Sequence, residues 1–328
     1  VVGPYPSSDA RNYVGIGKQI SKGTGVAPTQ WAPYLPSVDL DHQLSVQKLF
    51  EASGGYRPTY TEKISEIPTG KFPILCRPSF TARLAAYLLG SDTVSGAADP
   101  FTHTIIADLV TDYLSIEQNL ADEAIERFVD AAVAELVFSV DPSTRAIRCT
   151  GTWIGTNPSF QGAATAESYE SANPFLISDG VFTLDGAGSS NIQGFTLTVR
   201  FVYAMPLIND VIAAHLIKVR HEVDLELIQL ATDIALDYRK IHTGAVGGTT
   251  YQKIVQTGAF TADFNYGGNR QMKLEIPKVD YSGATVYTGL NPEGEEVVVT
   301  KGAHGVYNGT DPLFRYVGKN ADAAAYVS

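Results

Sequence analysis

The sequence predicts a mainly β protein of the α+β class, built as two similar halves in tandem with one helix in each. Three observations predict it. Residues 129–155 and 279–305 align without a gap at an offset of 150: Val129-Asp130 falls on Val279-Asp280, Asp141-Pro142 on Asn291-Pro292, Ile147 on Val297, Thr150 on Thr300 and Gly155 on Gly305. Both copies read as an apolar-rich run, an Asx-Pro turn, a second β-rich run and a closing glycine. In Phe195 to Tyr203, Phe195, Leu197, Val199, Phe201 and Tyr203 alternate with Thr196, Thr198, Arg200 and Val202, the period of a strand buried on one face.

The elements follow in order. Residues 1–37 read as an arm. Leu44, Val46, Lys48 and Phe50 form a poorer alternation, the counterpart of Phe195–Tyr203, and Gly54–Gly70 reads as an extended loop or hairpin. Phe72–Arg77 precedes a short helix with Ser79 as cap, Phe80, Leu84, Tyr87 and Leu88 facing inward, and Gly90 at its end. Leu114 and Ile116 fall on Phe264 and Tyr266 at the offset of 150, and Asn119 on Asn269. Leu120–Glu135 has helix-forming composition, but its repeat partner Arg270–Thr285 contains Pro277, Val279, Tyr281 and Gly283, which do not suit a helix interior. Ile125–Val140 is therefore expected as strand. In the second half a strand over Ile212–Val219 should run into a helix from about Leu225 to Ile241, with Asp224 as N-cap and Gly244 as stop. Its stripe would be Leu227, Ile228, Ala231, Ile234, Ala235 and Tyr238. A shift of four residues brings Leu88-Leu89-Gly90 onto His242-Thr243-Gly244, so both helices should end at equivalent glycines. The halves are taken as 1–165 and 166–328, with a second arm at 306–328.

Composition bounds the function. With 328 residues, 44% hydrophobic and 18% charged, the chain can bury two ordinary cores. No run approaches the roughly 20 apolar residues of a membrane span, and the amino terminus lacks the basic and apolar regions of a signal peptide. Cys76 and Cys149 form no close-spaced motif and read as buried thiols in a reducing compartment. A net charge of −11 argues against binding nucleic acid, which requires Lys and Arg to displace phosphate counterions.

The chain offers little catalytic vocabulary. Gly15-Ile16-Gly17-Lys18-Gln19 lacks the spacing and the Ser/Thr of a phosphate loop and reads as part of a flexible arm. Asp39, Asp41 and His42 share no completed metal shell and read as a solvated strand edge. Asp122, Glu123 and Glu126 are the residues a hydrolase reading would use, yet clustered acids are usually a solvated turn. His103 and His221 have no Ser or Cys motif beside them, and Asn308-Gly309-Thr310 is a glycosylation pattern without a secretory context. Trp31, Tyr34, Trp153 and Tyr203 read as core or interface aromatics; exposed, Trp31 or Trp153 would instead suit a carbohydrate-binding or adhesive β-protein of a virion or cell surface, the alternative function. Catalytic, cofactor-binding and metal residues are accordingly expected to be none. Arms and long glycine- and proline-rich connections cost ordering entropy, which points to assembly on a partner surface.

One family shares these textures. Val14-Gly15-Ile16-Gly17-Lys18-Gln19 leads through Gly23-Thr24 to Tyr34-Leu35-Pro36-Ser37-Val38. Arg77-Pro78-Ser79 stands before the first helix, followed by Asp99-Pro100-Phe101-Thr102-His103-Thr104 and Gly151-Thr152-Trp153-Ile154-Gly155. In these segments the chain resembles the major tail tube proteins of long-tailed, siphovirus-type bacteriophages, of the tandem-domain kind. The likeness covers the first 155 residues and reaches the second half through the internal repeat. It implies a β-sandwich with a flanking helix in each domain, and homotrimeric, pseudo-hexameric rings stacked into a hollow tube in the virion, assembled in the host cytoplasm. It also implies a tape-measure protein in the bore, tail-end proteins as partners, passage of the DNA genome without specific binding, and no catalysis. An acidic lumen would let DNA slide without sticking. Gly54–Gly70 and the arms are the expected subunit contacts. Deleting residues 1–12 should weaken ring stacking without unfolding the domains; unchanged tube length and yield in that variant would count against it.

Overall fold

The computed structural model describes residues 13–33, 39–49, 60–120, 122, 124–140, 144–189, 192–208, 210, 212–230, 234–245, 248–253, 256–287 and 298–327. These residues are mainly β, with strands β1 (Tyr13–Lys18), β2 (Gln30–Trp31), β3 (Asp39–Leu49), β4 (Tyr60–Leu75), β5 (Gly90–Ser95), β6 (Phe101–Ala107), β7 (Leu114–Leu120), β8 (Ala124–Val140) and β9 (Ile147–Phe160). They continue with β10 (Gly180–Leu184), β11 (Ala187–Ser189), β12 (Ile192–Ala204), β13 (Ile217–Leu230), β14 (Thr257–Tyr266), β15 (Arg270–Tyr287), β16 (Val298–Gly305) and β17 (Arg315–Asn320). Helix α1 spans Pro78–Leu89 and α2 spans Ile234–Thr243.

Among the described residues one isolated bridge, Glu66 to Ile212, is parallel, and all ladders are antiparallel. In the first half they run β3–β4–β9–β8, and β8 carries β7, then β1 and β2, along its N-terminal part. In the second half they run β12–β13–β16–β15, and β15 carries β14, then β10 and β11. The two series follow the same order, and three of their irregularities recur. The shift from Ser45 opposite Ser65 to Val46 opposite Lys63 recurs as Val202 opposite Arg220 and Tyr203 opposite Lys218. That from Leu114/Ala131 to Ile116/Phe128 recurs as Gly258/Val279 to Phe260/Ile276. That from Val133/Trp153 to Glu135/Thr152 recurs as Tyr281/Ala303 to Gly283/Gly302. Bulges locally bend and twist strands, so their recurrence means the curvature repeats as well as the order.

This register corrects the ungapped alignment. The offset of 150 holds for β9 on β16, but it is 148 for β8 on β15, 144 for β7 on β14, 155 for β4 on β13 and 157 for β3 on β12. Ile116 therefore corresponds to Phe260 rather than Tyr266, and Val129 to Pro277 rather than Val279. Identity in short β segments cannot fix register, whereas a ladder can. Pro277 sits in the bulge between Gly258/Val279 and Phe260/Ile276, where no ladder hydrogen bond is lost to its missing N–H. The offset of 154 at the helix ends is met: Gly90 and Gly244 both follow their helices with positive φ, 98° and 77°.

Several elements match expectation. Ala124–Val140 is strand despite its helical composition. In β12, Phe195, Leu197, Val199 and Phe201 are buried while Thr196, Arg200 and Val202 are exposed. In α1, Phe80, Leu84, Tyr87 and Leu88 are buried. Other expectations are overturned. Leu225–Leu230 is the end of β13 and not a helix, because Val223, Leu225, Leu227 and Gln229 are buried in period two; Asp224 is a mid-strand residue opposite Thr198 and His304 and caps nothing. The α1 N-cap is Arg77, not Ser79, with Pro78 opening the first turn.

The arms are corrected too. Residues 13–33 are no free arm: β1 is buried, pairing β7 along Tyr13–Lys18, and Gly15 and Gly17 are there for packing. A Cβ at Gly15 would lie 2.6 Å from the Pro28 side chain, and one at Gly17 2.6 Å from the Ala27 carbonyl oxygen. Nor is 306–327 an arm, since Phe314, Tyr316, Tyr326 and Val327 belong to the core and β17 pairs β15. Of the loop Gly54–Gly70, residues 60–70 form part of the β3–β4 hairpin, while 54–59 lie outside the described residues, as do 1–12, 34–38 and both Asx-Pro turns.

The main core among the described residues is a continuous cluster across both halves, from Phe72, Phe128 and Phe138 to Phe195, Phe260 and Phe264, beside a small one of Ala132, Ile154 and Leu216.

Candidate assembly interface

Among the described residues two ladders join the halves as seams, beside the isolated bridges Glu66–Ile212 and Ala146–Leu176. In the first, residues 135–139 of β8 pair with β12: Glu135 lies opposite Arg200, Leu136 opposite Val199, Phe138 opposite Leu197 and Ser139 opposite Thr196. Leu136, Phe138, Leu197 and Val199 are buried, so the ladder closes over an apolar stripe. Lys218, on the adjoining β13, donates to the carbonyls of Leu89 and Asp108 at 3.2 Å each, at the C-terminal end of α1. A cation suits that end of a helix, and Gly90 leaves room for it: a Cβ there would come within 2.9 Å of the ammonium. Burial pulls the Lys218 pKa down to about 8. Tyr203 adds a hydrogen bond to the Val133 carbonyl at 3.2 Å.

The second seam is β17 on β6, from Arg315 opposite Ile106 to Asn320 opposite Phe101, with β5 outside it. Past β17 the chain folds over α1. Tyr326 stacks on His103 with ring centroids 4.4 Å apart, and its N–H donates to Asp92 at 2.9 Å. His103 bridges Asp92 (2.9 Å) and the Asp322 carbonyl (2.8 Å). Burial alone would lower the His103 pKa, but the Asp92 and Asp322 contacts outweigh it and raise it. Likewise Asp322, which burial would raise, is held below the carboxylate range by Tyr326 and Arg83. Glu170, from the connection between halves, accepts from the N–H groups of Ser79 (3.0 Å) and Phe80 (2.8 Å), supplying the cap that α1 lacks locally. Burial raises its pKa while those donors and Arg77 pull it back. Glu170→Ala is expected to cost about 1–2 kcal/mol, read as a shift in the chemical denaturation midpoint.

The residues singled out for chemistry are not brought together. His221 stacks on Phe201 at 4.6 Å in the second half, while His103 serves the C-terminal segment. Asp122 bonds to Asn119, Glu126 lies in β8 opposite Gln118 and Phe160, and Glu123 lies outside the described residues. Asp39, Asp41 and His42 lie on β3, their side chains also outside the described set. Asn308 accepts from the Thr310 and Asp311 N–H groups, closing a turn. Trp31 and Trp153 are buried, which removes them from any exposed aromatic patch. Cys76 and Cys149 are free, buried thiols, and burial pushes Cys149 well up. Among the described residues no group of three His, Cys, Asp or Glu is placed to hold a metal ion, and no helix is long and apolar enough to cross a membrane. The seams themselves were missed in the sequence, because β17 and the Tyr326 segment are short and carry no periodic signal.

His221 gives a pH prediction. Burial lowers its pKa from 6.5 to about 4, so it stays neutral in the folded state while the unfolded chain takes up a proton below pH 6.5. The His221 contribution should therefore be full above pH 6.5 and fall by roughly 3 kcal/mol as pH drops toward 4, while His103, with its raised pKa, contributes in the opposite direction. Denaturant midpoints across that range should lose most of this slope in His221→Phe.

Compared with protein-family models and with curated proteins, the chain matches none.

Proposed function

We propose that the chain is a structural subunit of a phage tail tube, an assembly protein and not an enzyme. In this reading each half is a β-sandwich domain with a flanking helix, at 1–165 and 166–328. Three chains make a pseudo-hexameric ring, and rings stack into a hollow tube of the virion, built in the host cytoplasm, through which the DNA genome passes. A tape-measure protein and tail-end proteins are its other partners.

One observation carries this reading. The halves repeat each other's ladders and meet through unlike edges, β8 of the first and β12 of the second. A contact between unlike surfaces of like units is the head-to-tail kind, which closes into rings or continues as filaments. The resemblance in the first 155 residues and the net charge of −11 agree with it. The adhesive alternative is weakened by the burial of both tryptophans.

Negative-stain electron microscopy of concentrated, gently warmed protein, beside light scattering of the dilute sample, tests the reading. Hollow striated filaments growing from monomers or trimers are expected. A persistent monomer with saturable glycan binding would overturn it in favour of the adhesin.

A further inference from the structure

The edge that β8 uses to reach β12 has a counterpart that is open among the described residues. Residues 135–139 of β8 correspond to 283–287 of β15, and residues 196–200 of β12 to 39–43 of β3. On its β14 side β15 is paired only as far as Asp280, so among the described residues Gly283–Tyr287 pair with β16 alone. On β3, Asp39–Gln43 pair with β4 alone. Among the described residues the β8–β12 seam is thus closed and, at the two equivalent places, two strand edges are open.

We propose that these edges join between copies, β15 of one chain to β3 of the next, in the register of the internal seam. This deepens the assembly reading and rests on it only in that copies associate. Transferring the β8–β12 register places Tyr287 opposite Asp39, Val286 opposite Leu40, Thr285 opposite Asp41, Ala284 opposite His42 and Gly283 opposite Gln43. Leu40 and Val286 then take the register positions of Leu197 and Phe138, so one of the seam's two apolar pairs is kept, while Ala284 and His42 take the positions of Leu136 and Val199. An open edge offers unpaired N–H and C=O groups, and an identical neighbour with the complementary edge satisfies them. The occupant is a second copy because the template for the contact lies within the chain itself.

A side chain points to the same joint. Lys63 corresponds to Lys218, and Thr243, the last residue of α2, to Leu89, whose carbonyl accepts from Lys218. Lys218 is buried against α1, whereas the Lys63 side chain is 41% exposed and pairs with Glu66 on its own strand, a partner it would exchange or share in the joint. In the joined pair Lys63 of one copy reaches the C-terminal end of α2 in the next, covered as Lys218 is covered.

Disulfide trapping in the assembled full-length protein tests the register. The Asp41→Cys variant mixed with the Thr285→Cys variant should give an intermolecular disulfide in roughly tenfold higher yield than Asp41→Cys with Val286→Cys, since directly opposite residues lie within disulfide reach and their sequence neighbours face away. Combining Asp41→Cys and Thr285→Cys in one chain should give a ladder of linked multimers. In the unsubstituted protein, amide exchange at 39–43 and 283–287 should slow together on assembly, while 135–139 and 196–200 are protected before and after it. Lys63→Ala should raise the assembly concentration roughly tenfold, the scale of a lost charged hydrogen bond. Filaments that form without the Asp41–Thr285 link and without the joint change in exchange would overturn this joint but leave the tube reading standing. A chain that stays monomeric and unlinked at every concentration would overturn both.

Discussion

Removing residues 321–328 is expected to lower the stability of the fold by about 5 kcal/mol, enough to leave it partly unfolded at physiological temperature if its total lies in the usual range of roughly 5–15 kcal/mol. The reasoning is additive at first order. Tyr326 and Val327 are 8% and 2% exposed, and burying such side chains contributes about 1.5–3 kcal/mol each. Their loss also strips Asp92 of the Tyr326 N–H and of the Tyr326 ring that covers His103, and it takes the Asp322 carbonyl from His103. Stranded buried polar groups cost about 1–3 kcal/mol more. Arg83, now paired with Asp322 at 2.9 Å and lying 4.9 Å from the Tyr326 ring, loses both. Guanidinium denaturation of the truncated chain, followed by tryptophan fluorescence, measures the effect. An unchanged midpoint would mean that the C-terminal segment rests on α1 without holding it. Tyr326→Ala should reproduce more than half of the loss.

Phe195→Ala should cost about 3–5 kcal/mol, the range for removing a fully packed aromatic ring. Phe195 is 2% exposed and its ring meets three others, Phe182 at 5.9 Å, Phe264 at 6.1 Å and Phe260 at 6.3 Å between centroids. These rings come from β10, β12 and β14, so the cavity opens where three strands converge. Phe195→Leu keeps most of the volume and should cost less than half as much. Both tryptophans lie in the first half, yet the core is continuous, so their fluorescence should report the substitution in one cooperative transition. Two separate transitions, with the tryptophan signal unmoved, would show instead that the halves unfold independently.

The sequence carried the strands better than their partners. Phe195–Tyr203 was legible because half its residues face the core and half face out, and Ile125–Val140 because its repeat partner contains a proline that no helix interior accepts. The false helix at Leu225–Leu230 has a different cause: Leu225, Leu227 and Ile228 satisfy both a helical stripe and most of a two-residue alternation. Only their neighbours, β12 and β16, decide between the two. Register was hidden for the same reason, since one-residue bulges at Ile64 and Val219 move every later pairing without leaving a mark in composition. The seams were least legible of all. Arg315–Asn320 already pairs with β15, and whether it also bridges to the first half depends on β6, more than two hundred residues away, and on no local preference.

The seam within the chain and the joint proposed between copies are unequal in one respect. The first is strapped by β5, β6 and β17 and by the Tyr326 segment, while the described residues between α2 and β14 contain no hairpin to strap the second. In the proposed ring such chains would form a hoop with alternating welded and buttoned joins. Under tension or sudden internal pressure the buttoned joins would part first, and the pieces that came away would be whole chains with their paired halves still together.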